Sequence, residues 1–145
     1  MSKTNAWENG ILELVFKNTN FANVGDATGL RGSSTAGSFY VSLHTSDPGE
    51  AGSQTTNECA YGSYARVAIA RSGSGFTVTG NSVSPAATIG FPACTSGTET
   101  ATHFGIGTDT SGAGTLLYKG TVTPNISISS GVTPQLTTAS AVTED

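Results

Sequence analysis

From residue 39 onward the apolar residues of this 145-residue chain recur at every second position, which constrains its fold more than any other feature. Two-residue alternation puts like residues on one face of an extended strand, whereas a helix needs a period near 3.6. Phe39, Val41 and Leu43 alternate with Tyr40, Ser42 and His44. Ala65, Val67 and Ile69 define the inward face of a strand over Tyr64–Arg71, with Arg66 pointing outward. Val83, Pro85, Ala87, Ile89 and Phe91 give the cleanest run, with Pro85 suited to an edge or bulge. Phe76–Thr79, Thr102–Ile106, Leu116–Thr123, Asn125–Ile128 and Pro134–Val142 complete the list. Seven or eight short strands spaced by turn residues predict a mainly β protein, an antiparallel β-sandwich or jelly roll.

Before the alternation begins, the period is helical. Trp7, Ile11, Leu14 and Val15 fall at i, i+4, i+7 and i+8 and predict one amphipathic N-terminal helix over residues 4–17. Ser2 or Thr4 would cap it, and Asn18-Thr19-Asn20 would end it. Glu8 and Glu13 lie off the stripe, where solvent is expected. Gly10 weakens such a helix by about 1 kcal/mol relative to Ala. The expected organisation is a single domain, 1–145, with the helix followed by a sandwich over 38–143. A polar loop over 18–37 joins them, its Gly29–Ser34 stretch facing solvent or a neighbouring subunit. The core offered by such strands is thin, so burying the Trp7 face against another subunit would help. Trp7, Ile11, Leu14, Arg31 and Arg66 are the candidate interface residues.

Charge narrows the function. Charged residues make up 11% of the chain, against about 25% in ordinary domains, and Ser, Thr, Gly and Asn fill the gap. The net charge is only −4 and β-branched residues are plentiful, which argues against disorder. Lys3, Lys17, Arg31, Arg66, Arg71 and Lys119 are scattered, so no basic face exists to displace counterions from nucleic acid. No apolar run approaches the roughly 20 residues that span a bilayer, and the N-terminal stretch lacks a secretory apolar region. Neither nucleic acid nor membrane is an expected partner, and synthesis in the cytoplasm is expected.

The chemistry-bearing residues form no catalytic pattern. His44 and Asp47 match no nucleophile elbow. The expectation is a strand-end His44 facing solvent or bonded to the structural turn Asp47-Pro48-Gly49, where Pro fixes φ and Gly accepts φ > 0. Gly105-Ile106-Gly107 and Ser111–Gly114 lack the Lys-Ser/Thr ending of a phosphate loop and read as a tight β-turn. Asp47, Glu50 and Asp109 lack the dense oxygen ligands of a calcium loop. Cys59 and Cys94 have no histidine at zinc spacing and read as two free, partly buried thiols, a disulfide formed after release from the cell being the alternative. Asn125-Ile126-Ser127 reads as strand rather than glycosylation sequon. No catalytic residue, cofactor or metal is assigned, and no enzymatic activity is expected.

Longer stretches carry a resemblance. Trp7-Glu8-Asn9, Tyr40-Val41-Ser42-Leu43-His44-Thr45-Ser46-Asp47-Pro48-Gly49-Glu50, Tyr61-Gly62-Ser63-Tyr64-Ala65-Arg66-Val67 and Thr102-His103-Phe104-Gly105-Ile106 resemble small virion proteins of tailed bacteriophages, often labelled tail-fibre proteins. Size and pattern are also similar to the cement, or decoration, proteins of phage capsids. The resemblance implies a structural protein of the virion, made in the host bacterial cytoplasm. As a cement protein it would bridge subunits of the major capsid protein and contact copies of itself, as dimer or trimer. A chain of this pattern without shaft repeats or a coiled coil suits the head first. The alternative is a tail-associated fibre or receptor- or glycan-binding protein, with a host surface receptor as partner and Tyr40, Tyr61, Tyr64 and Tyr118 as a stacking surface.

Overall fold

A computed structural model describes residues 2–25 and 29–144. Among these residues one helix, α1 (Asn5–Lys17), precedes nine strands. These are β1 (Ser38–His44), β2 (Val67–Ala70), β3 (Phe76–Thr79), β4 (Ser82–Pro85), β5 (Ile89–Gly90), β6 (Glu99–Gly107), β7 (Leu116–Ile128), β8 (Gln135–Leu136) and β9 (Val142–Thr143). The protein is mainly β with antiparallel pairing and a single N-terminal helix, as the alternation predicts. The chain forms two compact units, each discontinuous in sequence.

One unit comprises Met1–Ser38, Ala70–Thr88 and Thr137–Asp145. Thr4 caps α1, its hydroxyl accepting from the Trp7 amide, and Asn18 ends the helix in the left-handed conformation. The buried stripe differs from the expected one. Leu12 and Phe16 are fully buried and Glu8 is 7% exposed, while Ile11, Leu14 and Val15 are half-buried and Trp7 is 40% exposed. Glu8, Leu12 and Phe16 are themselves spaced i, i+4, i+8, a second stripe next to the first, and packing on β3 and β4 selects it. Phe16 meets Phe76 of β3 edge-on, ring centres 5.0 Å apart. Glu8 in the first helical turn also faces the positive end of the helix dipole.

Gly10 has a packing reason. A side chain there would meet the Phe21 ring at 2.5 Å. The helix thus accepts a weak residue so that the ring can lie across it, beside Trp7 at 5.6 Å. Phe21 and Leu30 exchange backbone hydrogen bonds across the loop, and the Asn18 side chain bonds both the amide and carbonyl of Ser33. Residues 26–28 of the expected 18–37 loop lie outside the described residues.

The three-stranded sheet of this unit runs β3-β4-β9. Pro85 sits opposite Phe76, and the adjacent Ala86 amide bonds the Gly75 carbonyl, so the Pro85 nitrogen points away from β3. Pairing with β9 covers only Ser82 and Val83, so the missing N–H costs no ladder bond. The expected run 83–91 therefore breaks into β4 and β5, with Ala86, Ala87 and Thr88 exposed between them. Residues 134–142 likewise form two short strands rather than one.

The other unit, Phe39–Ile69 with Ile89–Leu136, holds a four-stranded sheet ordered β2-β1-β6-β7 and a two-stranded sheet β5-β8. β1 is interior, and both its faces are buried from Val41 to His44. β7 is one strand of 13 residues where the sequence suggests two. Val122 to Asn125, with a cis Thr123–Pro124 peptide, bulge out between the pairs Thr121–His103 and Ile126–Ala101, and the strand resumes beyond them. β6 begins at Glu99, three residues before the expected start.

Phe16→Ala should lower the unfolding free energy by about 3–5 kcal/mol. Trp7→Ala, at a 40%-exposed site, should cost less than half as much in the same urea titration. The reverse order would restore the original stripe.

Candidate functional site

The expected polar surface of β1 is interior. Ser42 and His44 are both fully buried. His44 Nδ1 lies 2.8 Å from the Thr56 carbonyl oxygen, which can only accept, so Nδ1 carries the proton. Nε2 then accepts from the Ser42 hydroxyl at 2.8 Å. His44 is thus neither solvent-facing nor bonded to the turn that follows it. A serine–histidine contact of this length resembles a nucleophile and its base. Here both nitrogens are occupied and both residues are sealed from solvent.

Space for this pair comes from glycine. Gly105 on β6 is opposite Ser42, and a side chain on it would lie 2.7–2.8 Å from Leu116, His44 and Ser42. At Gly107 a side chain would collide with the fully buried Gln54. Both glycines lie inside a strand rather than in a turn, and they serve close approach. The turn itself comes later, where Gly112 and Gly114 have positive φ.

Arg66 also turns inward. It lies just before β2, one residue out of phase with Val67 and Ile69, and is 9% exposed rather than outward. Its Nε and Nη2 donate to the two oxygens of Glu58 at 2.7 and 2.8 Å, a bidentate pair. Nη1 donates to the Asp109 carbonyl at 2.9 Å, and Nη2 also to that of Gly112 at 2.7 Å. Gln54 holds the same loop from beneath: its amide bonds the Ala113 carbonyl, and its side chain bonds both the amide and carbonyl of Asp109. The β6–β7 hairpin tip therefore exposes the side chains of residues 108–115 while its backbone is fastened to interior groups.

Tyr64 completes the cluster. Its hydroxyl donates to Glu58 Oε1 at 2.9 Å and accepts from the Leu43 amide of β1. Burial pushes the Tyr64 phenol far above its usual range, and Tyr61, with its hydroxyl on the Pro92 carbonyl, is pushed up to about 12. Tyr61 is 3% exposed and Tyr64 stacks on Phe91, so these two do not join an open stacking surface, while Tyr40 and Tyr118 are half-buried. The hydrogen bond to Glu58 holds Arg66 above its already high ordinary pKa, so it stays charged.

After β1 the chain bends at Thr45 and Ser46 and runs through Asp47-Pro48-Gly49. The Asp47 carboxylate accepts from the Gly49 amide at 2.8 Å, and Gly49 takes φ 76°. Pro48 is buried. Lys119 reaches Asp47 and Glu50, each at 3.1 Å, so two of the carboxylates weighed for calcium face a lysine instead. The Gly49 amide bond, then Lys119, hold the Asp47 carboxyl below its ordinary range. Among the described residues, no three of His, Cys, Asp and Glu gather closely enough to hold a metal ion. No helix among them is long and apolar enough to cross a membrane. Cys59 and Cys94 are free and buried, and burial, then Glu99, pushes the Cys59 thiol up to about 12.

The remaining interface candidates belong to the other unit. Trp7 is exposed, Ile11 and Leu14 are half-buried on α1, and Arg31 is exposed beside Leu30. Sequence reasoning missed Gln54 and Glu58, which sit in a Thr- and Asn-rich loop with no periodic signal.

The family comparison matches this framework over almost its whole length. Residues 2–143 match the model of the family described as Podophage GP4 fiber I protein gp80. The chain belongs to that family. As a member of the podophage fiber I family it is a bacteriophage structural protein and a component of the virion. No curated protein matches it.

Two measurements test the site's structural reading. Arg66→Ala leaves the Glu58 carboxylate unpaired and should cost about 3–5 kcal/mol in urea unfolding. His44 has its pKa lowered mainly by burial, opposed by the Thr56 bond and Glu58, with Arg66 and His103 adding to the lowering. The unfolded chain, with an ordinary histidine pKa near 6.5, then binds more protons than the folded one below that pH. Stability present above about pH 6.5 should fall as pH drops toward the lowered folded value, by at most about 1.4 kcal/mol per pH unit. His44→Gln should show a shallower decline between neutral and mildly acid pH, and an identical decline would exclude His44.

Proposed function

We propose that this chain is a non-enzymatic structural subunit of the phage tail-fibre apparatus, assembling with copies of itself. The family description carries the reading, since it covers residues 2–143 and specifies a fibre protein. The polar groups that could do chemistry are consistent with it. Ser42, His44, Gln54, Glu58 and Arg66 are tied to one another or to backbone, and Gln54 and Arg66 fasten the backbone of a hairpin tip.

The head-cement reading, with the major capsid protein as partner, rested on the absence of shaft repeats and a coiled coil. A short fibre assembled from small β subunits needs neither, so the family description outweighs that argument. Trp7 and Leu30, 40% and 36% exposed around Phe21, are one apolar surface the fibre reading offers for contact between copies. Arg66 drops out of that interface because it is buried.

Purified virions labelled with a gold-conjugated antibody to this chain should carry gold at the tail, in few copies. Dense labelling over the head, with copies in the hundreds, would overturn the fibre reading in favour of cement.

A further inference from the structure

β7 is the last strand of its sheet, and the phase of the ladder decides which of its backbone groups face outward. On β1 the Leu43 amide donates to the Tyr64 hydroxyl and the Leu43 carbonyl accepts from the Cys59 amide, so both groups point away from β6. Alternation then turns Ser42 toward Gly105 of β6, and turns Phe104 and Ile106 toward β7. Their partners on β7 are Gly120 and Tyr118, which leaves the amides and carbonyls of Lys119 and Thr121 on the outer edge. Among the described residues, no group bonds them there.

Such an edge is ordinarily blunted by a projecting charge, a proline or a bulge. Here Pro124 and the bulge over Val122 to Asn125 lie beyond Thr121, so the stretch 118–121 stays regular. Its one charge, on Lys119, is drawn to Asp47 and Glu50 at 3.1 Å each and is neutralised there. The stretch is also complementary to itself. Antiparallel pairing about a twofold axis at Gly120 sets Lys119 opposite Thr121 of a second copy and keeps the two lysines from facing each other. Glycine meets glycine at the non-hydrogen-bonded pair, where the strands come closest. Outward groups meet outward groups, so each lysine–threonine pair can close its main-chain bonds.

We propose that two copies of this chain join edge to edge through β7, continuing the four-stranded sheet from one copy into the next. The inference rests on the reading that copies assemble with one another, and it adds the strand through which they do so. Amide hydrogen exchange of the full chain at rising concentration, with sedimentation equilibrium on the same samples, tests it. The Lys119 and Thr121 amides should exchange freely in the monomer and become protected as the dimer fills, with those of Tyr118 and Gly120 protected throughout. Thr121 is exposed, so its variants leave the core of the monomer alone. Thr121→Pro deletes an outward amide in each copy and should weaken the dimer about tenfold. Thr121→Lys sets like charges opposite and should also weaken it, whereas Thr121→Glu meets Lys119 of the second copy and should tighten it. The proposal is overturned if the chain stays monomeric up to about 1 mM, if it associates with Lys119 and Thr121 still unprotected, or if the two charged variants act alike. Association that protects the Trp7 surface instead would remove the β7 edge and leave self-assembly standing. Protection of β7 with gold over the head would support the edge and remove the tail placement.

Discussion

A charged guanidinium buried at position 66 must be neutralised and its donors satisfied, and much of one unit is arranged to do so. Glu58 supplies the countercharge through two parallel hydrogen bonds. Backbone carbonyls of Asp109 and Gly112 take what remains. Because a buried ion pair contributes little net stability over an apolar alternative, its consequence here is positional. It links the loop before β2, the loop after β1 and the tip between β6 and β7.

The same unit fills the interior of its sheet with polar groups and makes room for them by omitting side chains. Gly105 admits the Ser42–His44 pair, and Gly107 admits Gln54. Both polar groups are closed off by this packing, so a contact that would look catalytic in a cleft serves here to fix the register and the loop around Thr56. The chain's scarcity of charge thus coexists with a small number of highly constrained charges.

The strands and the helix were legible in the sequence because periodic patterns survive without tertiary information. β1, β3 and α1 fall within a residue of their expected places. Two features were not legible, for different reasons. On α1 two apolar stripes overlap, and only the partner surface of β3 and β4 chooses Leu12 and Phe16 over Ile11 and Leu14. On β7, Pro124 reads locally as a breaker, yet a bulge lets the strand continue to Ile128. The polar cluster was misjudged because alternation sorts residues by polarity, and Ser42, His44 and Arg66 are buried with partners supplied by distant segments. The Asp47–Gly49 bond joins near neighbours and needs no such distant partner, although Lys119 also reaches Asp47.

The hairpin tip is fastened to the interior rather than loosely projecting. Amide hydrogen exchange of the full chain tests it most directly. The Asp109 amide, donated to Gln54, and the Gln54 amide, donated to Ala113, should exchange as slowly as the amides of β1. Exchange at these two amides as fast as in an unprotected loop, with β1 still protected, would contradict it.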